Sequence, residues 1–204
     1  MKLHWSSRSP FVRKVMVAAH EVGLADRIET VPTLVTMTKA NRDLMHSNPL
    51  GKIPTLITDD GTALFDSTVI CEYLDSLHAG TKLFPTDPKR RWPALRWHSL
   101  GDNLLDTLVL WRNERLRPPA QQSSDTIDVF ELKARNSLDL LEAESDTLAR
   151  SQFGIGHIAV GVALGYLDFR FAGLGWREGH PKIAAWYAAF AQRSSVRATE
   201  PVDA

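Results

Sequence analysis

A single cysteine, Cys71, stands in 204 residues, which excludes an internal disulfide and any Cys-x-x-Cys redox pair. No apolar run approaches the length of a bilayer span. The start, Met1-Lys2-Leu3-His4-Trp5, lacks the apolar stretch of a secretory leader. Neither sign of charge prevails: 24 Lys and Arg balance 24 Asp and Glu, so no global field favours nucleic acid or an anionic membrane. The seven histidines are scattered without metal-ligand spacing, and there is no HExxH, no P-loop and no GxGxxG. These absences lead to an expectation of a soluble cytoplasmic protein that uses neither metal nor nucleotide. The length allows one large domain or two small ones with a substantial core.

What is present centres on Asn48-Pro49-Leu50-Gly51-Lys52-Ile53-Pro54-Thr55-Leu56-Ile57. Proline cannot donate to a sheet ladder, so Pro54 belongs at the start of a strand or at an edge. That leaves the Ile53 backbone free to hold an extended ligand by main-chain hydrogen bonds. Shortly after comes Phe65-Asp66-Ser67-Thr68, a strand end followed by an acid and a serine N-cap. A serine-capped helix start presents free N–H groups and a positive dipole end, a seat for a carboxylate.

Residues 1–78 alternate strand and helix patterns. Lys2–Trp5 reads as a strand, and Ser9-Pro10 as an N-cap with proline at the first helical position. Val12, Val15, Met16, Ala19 and Val22 recur at helical spacing up to Gly23. Residues 27–31 alternate like a strand, and 32–47 form a polar, weakly helical connection. Residues 55–58 and 62–65, joined by Asp59-Asp60-Gly61, predict a hairpin. A helix over 67–77 is expected to bury Val69, Ile70, Tyr73 and Leu74, with Cys71 on its apolar side. The sum is a β-α-β unit followed by a β-β-α unit.

Gly- and Pro-containing residues 79–88 form a linker, after which the strand signal vanishes. Helices are expected over 89–117, over 125–150 with Phe130, Ala134, Leu138, Leu141 and Leu148 on one stripe, over 154–171, and from Pro181 onward. The third is apolar nearly all round and should be the buried centre of a bundle. The domain reading is thus an α/β domain over 1–78, a linker over 79–88 and an all-helical domain over 89–204.

Together these segments resemble a cytosolic glutathione S-transferase. The resemblance rests on Ser9-Pro10-Phe11-Val12-Arg13, Asn48-Pro49-x-Gly51-Lys52-Ile53-Pro54, Phe65-Asp66-Ser67 and Gly80-x-x-Leu83-Phe84-Pro85. The tail is similar to bacterial members: Gly165-Tyr166-Leu167-Asp168-Phe169, His180-Pro181-x-Ile183-x-x-Trp186 and Arg197-Ala198-Thr199-x-Pro201. The resemblance implies a thioredoxin-like N-terminal domain, an all-α helical-bundle C-terminal domain, and a homodimer.

It also implies site residues. Pro54 matches the family's cis-proline, whose preceding residue, here Ile53, pairs with the cysteinyl backbone of glutathione. Asp66 and Ser67 match the acid-serine pair: Asp66 meets the γ-glutamyl ammonium, while Ser67 and its helix N-terminus take the carboxylate. Most relatives carry glutamate where Asp66 stands, one methylene longer. Lys52 either attracts the glycyl carboxylate or is a solvated loop lysine.

Ser9 occupies the position where omega- and beta-like relatives have cysteine and tau-like ones a catalytic serine. A reference thiol titrates near 8.5, and lowering it by about two units requires roughly 2.7 kcal/mol. A hydroxyl hydrogen bond to a charged group supplies ~1.5–3 kcal/mol, and a helix N-terminus adds ~0.3–1. No base is needed. Ser9 as a simple helix cap, and Ser7 at the position resembling the zeta-like serine, remain alternatives.

Relatives often open the central helix with Ser/Thr-x-x-Asp; here Gly154-Ile155-Gly156-His157 replaces it. The reciprocal side-chain bonds of a capping box are therefore expected to be missing, and His157 is read as structural. An electrophile pocket between the domains is expected to draw on Trp5, Arg8, Phe11, Asn103, Asp106 and Arg112, residues that serve equally well as core or solvated face. The resulting function is activation of glutathione as a thiolate for conjugation to a hydrophobic electrophile, with glutathione as co-substrate and no cofactor. The alternatives are a glutathione-dependent dehalogenase, isomerase or peroxidase, and a non-catalytic glutathione-binding or protein-interaction module.

Overall fold

Four short strands set the frame. In the computed structural model, which describes residues 1–203, β1 (Lys2–Trp5), β2 (Glu29–Pro32), β3 (Thr55–Ile57) and β4 (Ala63–Leu64) form one mixed sheet in the order β2-β1-β3-β4. β1 runs parallel to β2 and antiparallel to β3, and β4 is antiparallel to β3. A parallel pair needs a crossover, supplied here by α1 (Pro10–Glu21). The hairpin needs only a tight turn: Gly61 takes φ +86°, and the Asp60 carboxylate accepts the Thr62 N–H at 3.0 Å.

The chain divides into two units, Met1–Arg91 with the tail from Ser194, and Trp92–Arg193. The first is the expected thioredoxin-like α/β unit. Helix α1 starts at Ser9 with Pro10 at its first position. It ends where Gly23, at φ +71°, lets Leu24 N–H reach back to the Ala19 carbonyl at 2.8 Å. A single turn, α2 (Arg42–Met45), interrupts the polar connection after β2. Helix α3 (Ser67–Ser76) packs along α1 and contributes Ile70, Cys71 and Leu74, all fully buried. Burying each large aliphatic side chain stabilises by ~1.5–3 kcal/mol. Val69, expected in that core, is instead 45% exposed, because Ile70, Leu74 and Cys71 already fill the inward stripe.

The segment read as the linker carries a buried hydrogen-bond network. Asp75, in the last turn of α3, is buried, and its carboxylate accepts the Leu83 N–H at 2.8 Å and the Phe84 N–H at 3.1 Å. His78 Nε2 lies 2.9 Å from the same carboxylate. Lys82 Nζ donates to the carbonyls of Asp75 and His78. Leu83 and Phe84 are thereby seated as buried apolar plugs.

The tail also departs from expectation. Residues 194–203, read from the pattern as part of the helical domain, belong with the sheet unit. A short helix, α8 (Ser194–Arg197), lies against α1: Arg13 Nη2 donates to the Val196 carbonyl at 3.4 Å, and the Ser195 hydroxyl donates to the Glu21 carboxylate. A four-residue helix carries too little periodicity to be seen in sequence.

The second unit is all helix: most of α4 (Pro88–Arg115), then α5 (Ser124–Arg150), α6 (Ile155–Arg170) and α7 (Pro181–Ala191). Every residue of α6 from Ile155 to Leu167 is buried, as a central helix requires. Its glycines mark backbone contact. A Cβ on Gly156 would fall 2.7 Å from the Ala94 carbonyl oxygen, and one on Gly101 of α4 only 2.5 Å from the Ala159 carbonyl carbon. Helix α7 is capped from outside: Glu142 of α5 accepts the Lys182 and Ile183 N–H groups at 3.1 and 2.9 Å. Glu144 joins α5 to α4, accepting both Arg96 Nη atoms at 2.8 and 2.9 Å and Trp97 Nε1 at 2.8 Å. The Arg96 guanidinium holds the Glu144 carboxyl below the usual range.

The start of α6 corrects the expectation of missing cap bonds. Gly154, at the N-cap, has no side chain, yet its N–H donates to His157 Nδ1 at 3.2 Å. With Nδ1 accepting, the ring proton sits on Nε2, 2.9 Å from the Leu148 carbonyl. This is half a capping box, built from an imidazole that must stay neutral. Burial pushes the His157 pKa below its ordinary value, and the nearby Arg193 charge does the same against the opposing pull of the Leu148 carbonyl. The unfolded chain binds a proton near pH 6.5 that the folded one refuses, so stability is full above that pH and falls as pH drops below it. Between pH 7.5 and 5.5, urea midpoints of the wild type are expected to fall more steeply than those of His157→Asn, which keeps an acceptor but cannot titrate. The difference approaches at most ~1.4 kcal/mol per pH unit. Parallel curves would remove the assigned role.

Candidate functional site

Strand register brings three separate sequence motifs to one edge of the sheet. Leu3 of β1 pairs with Leu56 of β3, which pairs with Leu64 of β4, and His4 pairs with Thr55. One step further along, β1 leaves the sheet toward Ser9, β3 is entered from Ile53-Pro54, and β4 leaves toward Asp66-Ser67. The N-termini of α1 and α3 therefore open beside the chain that precedes β3. The β1–β3 ladder begins at Thr55, so Ile53 lies outside it.

The Ile53–Pro54 peptide bond is cis. A buried side-chain network holds the loop that carries it. Asn48, 1% exposed, donates from Nδ2 to the Lys52 carbonyl at 3.1 Å and to Thr55 Oγ1 at 3.0 Å. Its Oδ1 accepts the Leu50 N–H at 3.0 Å. Thr55 Oγ1 donates in turn to the Lys52 carbonyl at 2.8 Å. Gly51 supplies the φ of +60° that the turn needs. Ile53 and Pro54 are buried, while the Lys52 side chain is exposed. The sequence reading singled out the stretch holding Asn48 and Thr55 but not their inward bonds; an Asn-Pro three residues before a lysine signals a turn, not which side chain turns inward.

Ser9 is half-buried at the N-cap of α1. Its Oγ accepts the Val12 N–H at 3.3 Å, its carbonyl accepts the Arg13 N–H at 3.0 Å, and its own N–H donates to the Ser6 carbonyl at 3.2 Å. The cap uses an oxygen lone pair. The hydroxyl proton has no acceptor among the described residues, so a sulfur anion placed there would meet both a donor and the positive end of a helix. Ser7 differs: its hydroxyl already donates to the Val202 carbonyl at 2.9 Å.

At α3 the cap is Asp66, not the expected Ser67. Asp66 has extended backbone angles and its Oδ1 accepts the Thr68 N–H at 2.8 Å, which makes Ser67 the first helical residue and 3% exposed. A short carboxylate reaches the helix's own N–H groups as readily as a serine hydroxyl does. One carboxylate oxygen closes the helix and Asp66 remains exposed, so Oδ2 is available to a cation.

Of the residues assigned to an electrophile, Trp5, Arg8 and Phe11 belong to the sheet unit and Asn103, Asp106 and Arg112 to the helical one. Trp5 is half-buried at the end of β1, with its carbonyl accepting the Thr33 N–H at 2.8 Å. Arg8 is exposed in the turn before Ser9, and Phe11 is half-buried in the first turn of α1. Asn103 bonds its own helix, Nδ2 to the Ser99 carbonyl at 2.8 Å. Asp106 is exposed and Arg112 half-buried. Among the described residues, no group of three or more His, Cys, Asp or Glu side chains is placed to hold a metal.

Known proteins match this arrangement along its length. The family model for the glutathione S-transferase N-terminal domain matches residues 8–77, and that for the C-terminal domain matches 124–189. The chain is 33% identical over 204 residues to the uncharacterized GST-like protein YibF of Escherichia coli K12, covering 98% of each. It superposes with a TM-score of 0.95 and 42% identity on a glutathione transferase family member from Pseudomonas fluorescens Pf-5 crystallised with bound glutathione, covering 98% of both chains. A glutathione S-transferase from Methylobacillus flagellatus KT with GSH bound gives 0.87 and 36%, covering 98% of this chain and 99% of that one. Matched in both domains and from end to end, the chain belongs to the glutathione S-transferase family.

Proposed function

We propose that the protein binds glutathione at this sheet edge and holds its sulfur as a thiolate for attack on a hydrophobic electrophile. Carbon–sulfur bond formation gives a thioether, with the displaced group leaving as an anion. The observation that carries this reading is the Ser9 hydroxyl at the N-terminus of α1, which accepts the Val12 N–H and whose proton meets no acceptor among the described residues. Ile53 offers main-chain pairing to the cysteinyl unit beside cis-Pro54, and Lys52 attracts the glycyl carboxylate. Asp66 takes the γ-glutamyl ammonium through the oxygen its cap leaves available, and Ser67 with the N-terminus of α3 takes the carboxylate. Glutathione bound in the Pseudomonas relative supports the binding half of the reading.

Trp5, Arg8, Phe11, Asn103, Asp106 and Arg112 are the positions we assign to the electrophile. We also place the protein in the cytoplasm as a homodimer. The homodimer rests on the family likeness, and no described helix is long and apolar enough to cross a membrane. The test is ultraviolet titration of bound glutathione together with turnover of an activated aryl halide. A thiolate band at neutral pH with thioether product supports the proposal. Binding without product leaves a glutathione-binding module, and no binding removes the reading altogether.

A further inference from the structure

The tail motif Arg197-Ala198-Thr199-x-Pro201 has no part in the site described so far, yet its path leads there. Just past α8 the Thr199 hydroxyl donates to the Ser195 and Val196 carbonyls at 2.9 and 3.2 Å. Pro201 then prevents the helix from resuming. The extended chain that follows brings the Val202 carbonyl to the Ser7 hydroxyl, 195 residues away in sequence and 2.9 Å away in space. Arg13 on α1 holds the Val196 carbonyl, and Ser195 bonds Glu21, so the tail is anchored before it reaches the turn.

Ser7 sits inside the four-residue turn that delivers Ser9. Ser9 N–H closes that turn on the Ser6 carbonyl at 3.2 Å, and Ser6 Oγ accepts the Arg8 N–H at 3.4 Å. Both bonds are internal to the turn. Its far end is tied to α1 through the Val12 and Arg13 N–H groups on Ser9, and the Ser7–Val202 bond ties its middle to the tail. With Ser9 Oγ pivoting on the Val12 N–H, a shift of the turn around Ser7 would re-aim the Ser9 hydroxyl proton, and a hydrogen bond weakens steeply with angle.

We infer that the C-terminal segment 199–203 is a latch that positions the Ser9 hydroxyl, with Ser7 as the positioning residue through which it acts. This rests on the proposed role of Ser9 in thiolate formation. Ser7 itself touches no reacting atom; its side-chain proton is taken by the tail.

Two measurements test it. Amide exchange of residues 6–9 in the ligand-free protein reads the latch directly. Ser7→Ala, and a chain ending at Glu200, should each speed exchange there several-fold, while Ser7→Thr, which keeps the hydroxyl, stays near wild type. Titration of bound glutathione reads the consequence. In Ser7→Ala and in the shortened chain the thiol pKa should rise by roughly half a unit to one unit, a ~3–10-fold lower ratio of thiolate to thiol at a given pH, with Ser7→Thr restoring it. Unchanged exchange and unchanged pKa in both variants overturn the latch while leaving Ser9 intact. Faster exchange with an unchanged pKa overturns the positioning role. A wild type that forms no thiolate removes the proposed function, and with it the positioning role, even where the exchange result shows the tail bond to be real.

Discussion

Replacing Ser9 by alanine is expected to raise the pKa of the bound glutathione thiol by one to two units, about 1.4–2.7 kcal/mol, with turnover at neutral pH falling roughly 10–100-fold. The Michaelis constant for glutathione should change little, because Lys52, Ile53, Asp66 and Ser67 are untouched. Two effects are mixed in that variant. Alanine also removes the cap on Val12 N–H, worth ~0.5–2 kcal/mol of stability. Ser9→Asp separates them: a carboxylate caps as well as a hydroxyl but has no proton to donate, and its charge repels a thiolate. The aspartate variant should match wild type in urea midpoint and titrate its bound thiol no lower than the alanine variant does. A low thiol pKa in Ser9→Asp would reduce Ser9 to a cap.

The largest loss of stability should come from Asp75, far from any proposed chemistry. Asp75→Ala strands the Leu83 and Phe84 N–H groups inside the molecule. Each unsatisfied donor costs ~1–3 kcal/mol, so the variant is expected to lose about 3–5 kcal/mol, a large share of a typical domain's stability of ~5–15. Asp75→Asn keeps one acceptor but turns an amide N–H toward the other donor, and should lose about half as much. Urea denaturation of the three proteins checks the order. An alanine variant within ~1 kcal/mol of wild type would mean that water or a shifted backbone satisfies these donors.

Much of this was legible in the chain, for reasons that differ by element. Helix α1 announces itself by Ser9-Pro10 and the spacing of Val12, Val15 and Ala19. Helix α6 does so by being apolar on every side, and the hairpin by Asp-Gly. Each of these signals is local. The side-chain networks were hidden because each joins residues by function of the fold. Asn48 binds the loop that follows it, Glu142 caps a helix 40 residues on, and Ser7 meets Val202. Asp66 and Ser67 show a finer limit. Either residue type caps a helix, and sequence cannot tell which of two adjacent cappers takes the N-cap position. The cis bond at Ile53–Pro54 was expected from family likeness alone, since the residues around a proline carry almost no information on its isomer.

The glycines at 101, 156 and 161 impose a fixed gauge on the helical unit. Where two main chains touch, or where Phe190 occupies the space of a missing methyl, even one added carbon would have to part the helices or displace the ring. The closeness of the bundle is therefore written into three residues that have no side chain at all.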